Sequence, residues 1–424
     1  MSPAPYSGDT VSDAFCGHRL NGYNRSMLKN PPSRQNPARA SGRRHGPDPE
    51  PGGLPASTQD ATPGSLLLYC RAGSENDCAA EIMALSQAQG VSGFCRTRAD
   101  SGHVVFEAPG QAGQQGMAAL IAGLHWLDLI FIRQWLVLLH TLTGLPPDDR
   151  VTPLVQALLE GPGGQADGYA DLWLEHPDTD AGKEMATFCK RFRGALTGGL
   201  ARAGIDTGKS NAGWRLHAFF IDSSQAMLAM APVARSTPHS QGIIRLKFPR
   251  EAPSRSTLKL EEALQLLLSA DDHRRLLRPG NTAVDLGAAP GGWTWQLVRR
   301  NLRVTAVDNG PMQAALMDSG LVEHRREDGF RYRPPRPVDL LVCDMVERPN
   351  RIAALMGQWL RRGDCRGAVF NLKLPMKQRH RAVMECLDAL PPGNPRGEPF
   401  TIRCRQLYHD RQEVTVAVMP GSRE

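Results

Sequence analysis

Four ionisable side chains stand where predicted elements of this 424-residue chain begin or end. Lys259 lies at the start of a helix, Asp344 and Lys373 close two apolar strands, and Glu413 opens the last strand. These residue types suit proton chemistry on a poor nucleophile such as an alcohol. A lysine whose pKa is lowered by burial or by neighbouring cations can take the proton, and a second lysine can orient or stabilise the developing oxyanion. Carboxylates can then hold both lysines in place. Each residue also has a simpler reading. Lys259 can be a solvent-facing lysine paired with Glu262, and Glu413 a charge that guards an edge strand. Asp344 can cap its loop, and Lys373 can snorkel from the end of the sheet.

The strongest motif is Val284-Asp285-Leu286-Gly287-Ala288-Ala289-Pro290-Gly291-Gly292-Trp293-Thr294, a strand that runs into a glycine-bearing turn and opens a helix. Gly287 lets the backbone approach a ligand closely, and Gly291 and Gly292 permit conformations closed to other residues. Asp308 lies 23 residues after Asp285, at the end of the next strand, where an acid accepts hydrogen bonds from ribose hydroxyls. The ligand does not read as a dinucleotide. The full G-x-G-x-x-G pattern is absent, because Ala289 stands where its second glycine belongs. Asp285, at the tip of the first strand, would also repel a pyrophosphate. It suits the sulfonium and amino group of S-adenosylmethionine. Asp328, after a third strand, is placed to take an adenine amino group, although an Asp-Gly step is by itself an ordinary turn.

Other chemistries fit less well. Asp344-Met345-Val346-Glu347 lacks the prolines and the aromatic ring of an amino-group methylase loop. No cysteine sits in a Pro-Cys or Thr-Cys nucleophile motif, and Cys343 lies inside its strand as a core residue.

The elements that must carry these residues alternate. Strands are predicted at Ala283 to Leu286, Val304 to Asp308, Leu340 to Asp344 and Ala368 to Leu374. Helices are predicted at Thr294 to Arg300, Arg351 to Arg362 and Lys377 to Leu390. This is an α/β, Rossmann-like pattern with a mostly parallel sheet. Ile402 to Tyr408 and Glu413 to Met419 then predict a terminal antiparallel hairpin, which fits methyltransferases better than dehydrogenases. Upstream, Leu66 to Cys70, Gly102 to Glu107 and Leu129 to Val137 read as strands around a helix that begins at Glu75, a small α+β unit. A second unit begins near Pro146. It has helices at Pro153 to Glu160 and Lys183 to Arg202, an extended run from Tyr169 to Glu175, and a strand from Trp214 to Ile221.

Charge is concentrated in that second unit. Lys183 to Leu260 holds thirteen Lys or Arg against four Asp or Glu, a net +9, whereas the whole chain carries +7. A basic stretch beside a near-neutral remainder is the footprint of phosphate binding, and its bland alternative is a solvated face with acidic partners nearby. Residues 1 to 64 hold ten prolines and eight glycines but only five Leu, Ile, Val or Phe, too few to offset ordering entropy. They read as a disordered tail, or as sequence upstream of the true start. No stretch reaches the roughly 18 apolar residues of a membrane helix. The odd count of nine cysteines, without a C-x-x-C pair, argues against a disulfide framework or a zinc site and fits a reducing cytoplasm.

Long strings of the chain resemble the FtsJ-like ribose methyltransferases. They are Ala252 to Glu262, Asp285 to Thr294, Val307 to Met312, Val342 to Glu347, Asn371 to Lys377 and Gln406 to Arg411. The resemblance spans about Ser65 to the C-terminus and is closest to members that modify a cytidine 2′-hydroxyl in bacterial 23S rRNA. It implies a Lys-Asp-Lys-Glu tetrad at Lys259, Asp344, Lys373 and Glu413, with Lys373 as the proton acceptor. It also implies cofactor contacts at Ser256, Ala289, Pro290, Gly291, Gly292, Asp308, Asp328 and Asp344, to which the reading of the loop itself adds Asp285 and Gly287. It further implies a ferredoxin-like domain over 65–145, a THUMP-type RNA-binding domain over 146–240 and a methyltransferase domain over 241–424. The expected partner is 23S rRNA, naked or in an early large-subunit precursor, bound by a cytoplasmic monomer that needs neither a metal nor a membrane. Residues 1 to 64 have no counterpart in that pattern. Two other readings stay open: a non-catalytic RNA-binding protein that retains a vestigial methyltransferase fold, and a methyltransferase that acts on an RNA base.

Overall fold

The computed structural model describes residues 64–421 apart from 167 and 210, so the expected disordered tail, except Gly64, lies outside the described residues. Two seven-stranded sheets organise them.

The first sheet starts with β1 (Ser65–Tyr69), α1 (Glu75–Ala88), β2 (Phe94–Thr97), β3 (His103–Glu107), α2 (Gly110–Gly123) and β4 (Gln134–Leu142). That order, with β1 paired antiparallel to both β3 and β4 and β2 outside β3, is the ferredoxin-like arrangement. Alternation along β1 sends Leu66 and Leu68 to one face and Leu67 and Tyr69 to the other, and both faces are buried. The sheet does not end at β4. α3 (Val151–Glu160), β5 (Leu172–Glu175), α4 (Asp180–Arg202), β6 (Trp214–Asp222) and β7 (Gln225–Pro232) follow. β7 pairs antiparallel with β4, so the strand order runs β2-β3-β1-β4-β7-β6-β5 across the expected boundary near residue 145.

β4 begins at Gln134, not at Leu129. The backbone N–H groups of Ile130, Phe131 and Ile132 all donate to the buried Glu81 carboxylate, at 2.6, 2.9 and 3.0 Å. A side chain from α1 thus takes the donors that a strand would give to its neighbour.

The second sheet is built from β8 (Thr282–Leu286), β9 (Arg303–Val307), β10 (Val322–Arg325), β11 (Val338–Cys343), β12 (Cys365–Lys373), β13 (Phe400–Arg405) and β14 (Glu413–Pro420). Its order is β10-β9-β8-β11-β12-β14-β13, parallel except for β14. The central strands read as continuous apolar runs because helices cover both faces. Val284, Leu341 and Phe370 pack with Ile352, Met356 and Trp359 of α9 (Pro349–Arg362). Ala283, Val342 and Val369 pack with Leu260 and Leu264 of α5 (Thr257–Leu267) and with Leu297 of α7 (Gly292–Val298). The remaining helices are α6 (Ala270–Leu276), α8 (Ala314–Met317) and α10 (Arg379–Asp388). No described helix is long and apolar enough to cross a membrane.

The two sheets are joined through the end of β13 and the chain that follows it. The buried Arg405 guanidinium donates to the carbonyls of Trp126, Leu129 and Arg133 at 2.6, 3.2 and 2.6 Å, and Gln406 N donates to Ile130 O at 2.8 Å. From the first sheet's side, Arg71 reaches Tyr408 O at 3.1 Å. Burial pushes the Arg405 pKa down to about 10, still well above neutrality, so the guanidinium stays charged while it crosslinks the two halves.

Candidate active site

β8 is the strand at which the order of the second sheet reverses, with β9 on one side and β11 on the other. Ligands of open α/β sheets bind beyond the carboxyl ends of the strands at such a point. Here the chain leaves β8 through Gly287, with φ 77°, and a Cβ there would sit 2.6 Å from Met345 Cγ. Gly291, with φ 115°, caps α7, and a side chain on it would run into Leu316. The loop between them, Ala288 to Pro290, is thereby held close against the ends of β8 and β11.

Asp285 is buried at the end of β8. Its Oδ2 accepts from Thr294 Oγ1 at 2.6 Å, but its Oδ1 has no partner. Burial, reinforced by the charge of Asp344, pushes this carboxyl up to about 7 against the Thr294 hydrogen bond. A buried carboxylate oxygen without a donor is what a cationic ligand group would satisfy, so the loop fits the cationic methionyl end of S-adenosylmethionine. Asp308 accepts from Ala289 N at 3.1 Å and Gly310 N at 2.7 Å, and thus braces the same loop. Asp328 sits in a turn, accepting from Phe330 N at 2.9 Å, with its side chain half exposed. Ser256, just ahead of α5, lies against Gly292, and its carbonyl accepts from Trp293 Nε1 at 3.1 Å. Gln296 likewise donates to Thr257 O at 3.1 Å, so the first turn of α5 is tied to α7, which follows the β8 loop.

That first turn carries Lys259. Strand register supplies the rest. Cys343 stands opposite Leu286 on one side and Phe370 on the other, so Asp344 emerges between the ends of β8 and β12. Lys373 and Glu413 are direct partners across the β12–β14 pair, and Asn371 faces Thr415 two residues earlier. The four groups close a ring of alternating charge. Lys259 Nζ lies 3.2 Å from Asp344 Oδ2 and also bonds Glu413, and Lys373 Nζ lies 3.4 Å from Asp344 Oδ1 and also bonds Glu413. The structure therefore brings together all four residues that the sequence singled out. Glu262 does not pair with Lys259. It turns to the chain after β13, accepting from Tyr408 N, His409 N and His409 Nδ1 at 2.8, 2.9 and 2.7 Å.

The electrostatics distinguish the two lysines' surroundings. Burial works against the charge of Lys259, but Asp344 and Glu413 outweigh it and hold its pKa above the ordinary lysine value. Glu413, also buried, is held below the usual carboxylate range because Lys259 and Lys373 overcome its desolvation. Lys373 is the more open lysine, 28% exposed against 15% for Lys259. Both line a groove of about 1540 Å³ whose far wall comes from the first sheet's half of the molecule, through Arg71, Asp178 and Lys183.

Sequence reasoning missed the layer behind the ring. Asn371 and Thr415 are fully buried and Asp410 is enclosed, and these three link to Asp344 through hydrogen bonds. The signal was present for Asn371, a lone amide inside the apolar run of β12. Asp410, in the link between the last two strands, carries no such signal. The basic stretch is also partly spent on partners within the chain, one buried and two at the surface. Arg215 is buried over the Trp173 ring at 3.7 Å, Arg193 pairs with Asp171, and Lys183 pairs with Asp180. Among the described residues no group of three or more His, Cys, Asp or Glu is placed to hold a metal ion.

Comparison with known proteins agrees with this architecture. Residues 64–136 match the family model described as RlmM ferredoxin-like domain, residues 149–231 that of ribosomal RNA large subunit methyltransferase M, N-terminal, and residues 252–358 that of FtsJ-like methyltransferase. The chain is 47% identical over 357 residues to the ribosomal RNA large subunit methyltransferase M of Xanthomonas campestris pv. campestris (strain B100), covering 84% of this chain and 99% of that protein. It is 47% identical over 358 residues, with the same coverage, to the protein of that name from Xanthomonas axonopodis pv. citri (strain 306). Among solved structures, TrmN from Thermus thermophilus aligns with 84% of this chain and 99% of its own at 16% identity and a TM-score of 0.32, too distant a likeness to argue from. On its sequence identity over nearly the full length of these relatives, the chain belongs to the ribosomal RNA large subunit methyltransferase M family.

Proposed function

We propose that this chain transfers the methyl group of S-adenosylmethionine to the 2′-hydroxyl of a cytidine ribose in 23S rRNA, with Lys373 as the base. Family membership makes the chain an S-adenosylmethionine-dependent methyltransferase of ribosomal RNA. The choice of a ribose hydroxyl rests on one observation: a closed ring of two lysines and two carboxylates, open to a groove, beside the cofactor loop.

Bound S-adenosylmethionine supplies an electrophilic methyl group on a sulfonium. Asp285, with its unpartnered oxygen, would face the cationic methionyl end, and Gly287 to Gly292 would lie along the ligand, with Ser256, Asp308 and Asp328 as further contacts. What the chain must add is a base and a means to tolerate charge. A neutral lysine amine has two N–H groups and one lone pair. In Lys373 the two N–H groups match Asp344 and Glu413, which leaves the lone pair for the hydroxyl proton. In that state the ring holds one cation, Lys259, and two anions, so the proton that Lys373 gains neutralises it. Lys259, fixed as an ammonium by both carboxylates, offsets the charge that develops on the oxygen. RNA would be positioned by phosphate contacts on the THUMP-type middle region, residues 146–240, whose α4 presents Lys190 and Arg191 to solvent.

The test is nucleoside mass spectrometry of a 23S rRNA transcript methylated in vitro by the full chain. A methyl on cytidine ribose is expected, and a methyl on a base would overturn the reading. Lys373→Ala should abolish transfer while S-adenosylmethionine still binds, and full activity in that variant would remove Lys373 from its role.

A further inference from the structure

Behind the ring a single file of hydrogen bonds runs into the protein. Asn371 Nδ2 donates to Asp344 Oδ1 at 2.8 Å. Thr415 Oγ1 lies 2.7 Å from Asn371 Oδ1 and 3.2 and 3.1 Å from the two oxygens of Asp410. Asn371, Thr415 and Asp410 are all sealed from solvent.

The direction of every bond is fixed by donor supply. Asp344, flanked by two lysines, only accepts, so the amide nitrogen of Asn371 must face it and the amide oxygen must face Thr415. That oxygen needs a donor, and among the described residues the side chain that supplies one is Thr415, through its hydroxyl. A hydroxyl has one hydrogen. Once Thr415 gives it to Asn371, it has none for Asp410 and meets that carboxyl as an acceptor. Two acceptors at 3.2 Å in a sealed site are costly unless one of them carries a proton. Asp410 Oδ2 already accepts from Leu407 N at 3.0 Å, which leaves Oδ1 to hold it.

Resting on the tetrad reading above, we infer that Asp410 stands as a neutral carboxylic acid that donates to Thr415 and thereby locks Asn371, and through it Asp344, between the two lysines. The surroundings agree. Burial, with the negative charges of Glu413 and Glu262, raises the Asp410 pKa well above the usual carboxylate range, against the Leu407 hydrogen bond and the more distant charge of Lys259. An ionised Asp410 would capture the Thr415 hydrogen, leave the Asn371 oxygen without a donor and free the amide to turn over. Asp410 thus acts as a positioning residue, through Thr415 and Asn371.

The amide of Asp410→Asn reproduces the neutral acid, with one donor for Thr415 and one acceptor for Leu407. Asp410→Ala and Thr415→Val should each lower kcat about tenfold with KM for a 23S rRNA transcript unchanged, since the lost contact orients a catalytic group and does not bind RNA. Asp410→Asn and Thr415→Ser should recover kcat to within about twofold of wild type. Independently of activity, difference infrared spectra of the full chain at neutral pH should show the carbonyl stretch of an un-ionised carboxyl that Asp410→Asn removes. If Asp410→Asn is as impaired as Asp410→Ala, or if no such band is lost, the inference is overturned. Lys373→Ala separates the two readings. If it is inactive while Asp410→Asn fails to recover, only the positioning role falls; if it is fully active, the tetrad falls and the infrared band still decides the state of Asp410.

Discussion

Two buried charged clusters, one in each sheet, are built on opposite logic. In the first sheet, Glu175 accepts from Tyr69 Oη at 2.9 Å, His217 Nδ1 at 2.8 Å, Ser240 Oγ at 2.8 Å and Gln241 N at 2.6 Å. One carboxylate meets four donors, from β1, β6 and the chain after β7. Both Glu175 and His217 are shut away from solvent, and Glu175 is held below the usual carboxylate range because His217 and these donors overcome its desolvation. The Glu175 carboxylate is saturated and closed to solvent, and among the described residues only His217 Nε2 in the cluster is left without a partner. In the second sheet, two carboxylates meet two lysines, and both lysines line a groove, Lys373 the more openly. A buried charge becomes chemically useful when its partners are mobile protons and one side stays open.

Breaking each cluster should therefore give different deficits. The largest is expected at Lys373. Removing a general base costs about 10²- to 10⁴-fold in rate, so Lys373→Ala should lose that much kcat while its melting temperature and its affinity for S-adenosylmethionine stay close to wild type. Glu175→Ala should do the reverse. It strands Tyr69, His217 and Ser240 in a sealed site, and breaking a buried pair in this way costs roughly 3–5 kcal/mol. Urea denaturation should show that loss, while kcat measured on the folded fraction stays within about twofold of wild type, an effect below 0.5 kcal/mol on the barrier. If Glu175→Ala lowers kcat as much as Lys373→Ala, the contrast between the clusters is wrong.

A smaller effect is expected from Asp285. Its carboxyl, raised to about 7 by burial, passes from mostly neutral to mostly ionised as pH rises through that value. A cation binds the ionised form, so affinity for S-adenosylmethionine should rise with pH up to about 7 and then level off, by at most about tenfold per pH unit. Binding near pH 7 should release a proton, visible by calorimetry as a heat that depends on the buffer's ionisation enthalpy. Asp285→Asn should bind more weakly and lose the difference. Persistence of the full pH dependence in that variant would show that Asp285 does not face the ligand. The ring has its own window. Glu413, depressed in the fold, contributes stability above about pH 4.5 that is lost as pH falls through its folded value. Lys259, raised in the fold, contributes stability below about pH 10.5 that is lost as pH rises through its folded value.

The second sheet was more legible from sequence than the first. Its central strands are buried on both faces, so β8, β11 and β12 appear as apolar runs with a charged residue at or beside their ends, and the ring of lysines and carboxylates gathers there. The turn from Gly287 to Gly292 was readable because glycine marks backbone that other residues avoid. In the first sheet the period misleads. Leu129 to Val137 has the composition of a strand, yet its first half is held by Glu81, a contact 49 to 51 residues away in sequence. The exposed β2 and the sheet-joining β7 were not predicted: β2 has little apolar signal, and β7 reads as a methionine- and alanine-rich run without alternation. Asp410 and Glu262 were invisible as partners because their hydrogen bonds depend on how the chain between β13 and β14 returns over α5.

The smallest effect should come from the surface of α4. Lys190 and Arg191 are exposed on a helix that packs on the first sheet, far from the ring in sequence. If RNA lies across this region, both residues meet phosphates, and such contacts position without entering the chemistry. Lys190→Ala combined with Arg191→Ala should then raise KM for the 23S rRNA transcript several-fold at low salt and leave kcat unchanged. The dependence of binding on salt should flatten by about 1.4 in slope for two lost single-strand phosphate contacts, roughly 0.7 each. Lys373→Ala, by contrast, should keep the wild-type salt slope while losing kcat. The two halves of the molecule would then separate in one data set, the first sheet setting where RNA sits and the second what happens to it. An unchanged KM and slope in the double variant would move the RNA path off α4 and onto the groove walls near Arg71.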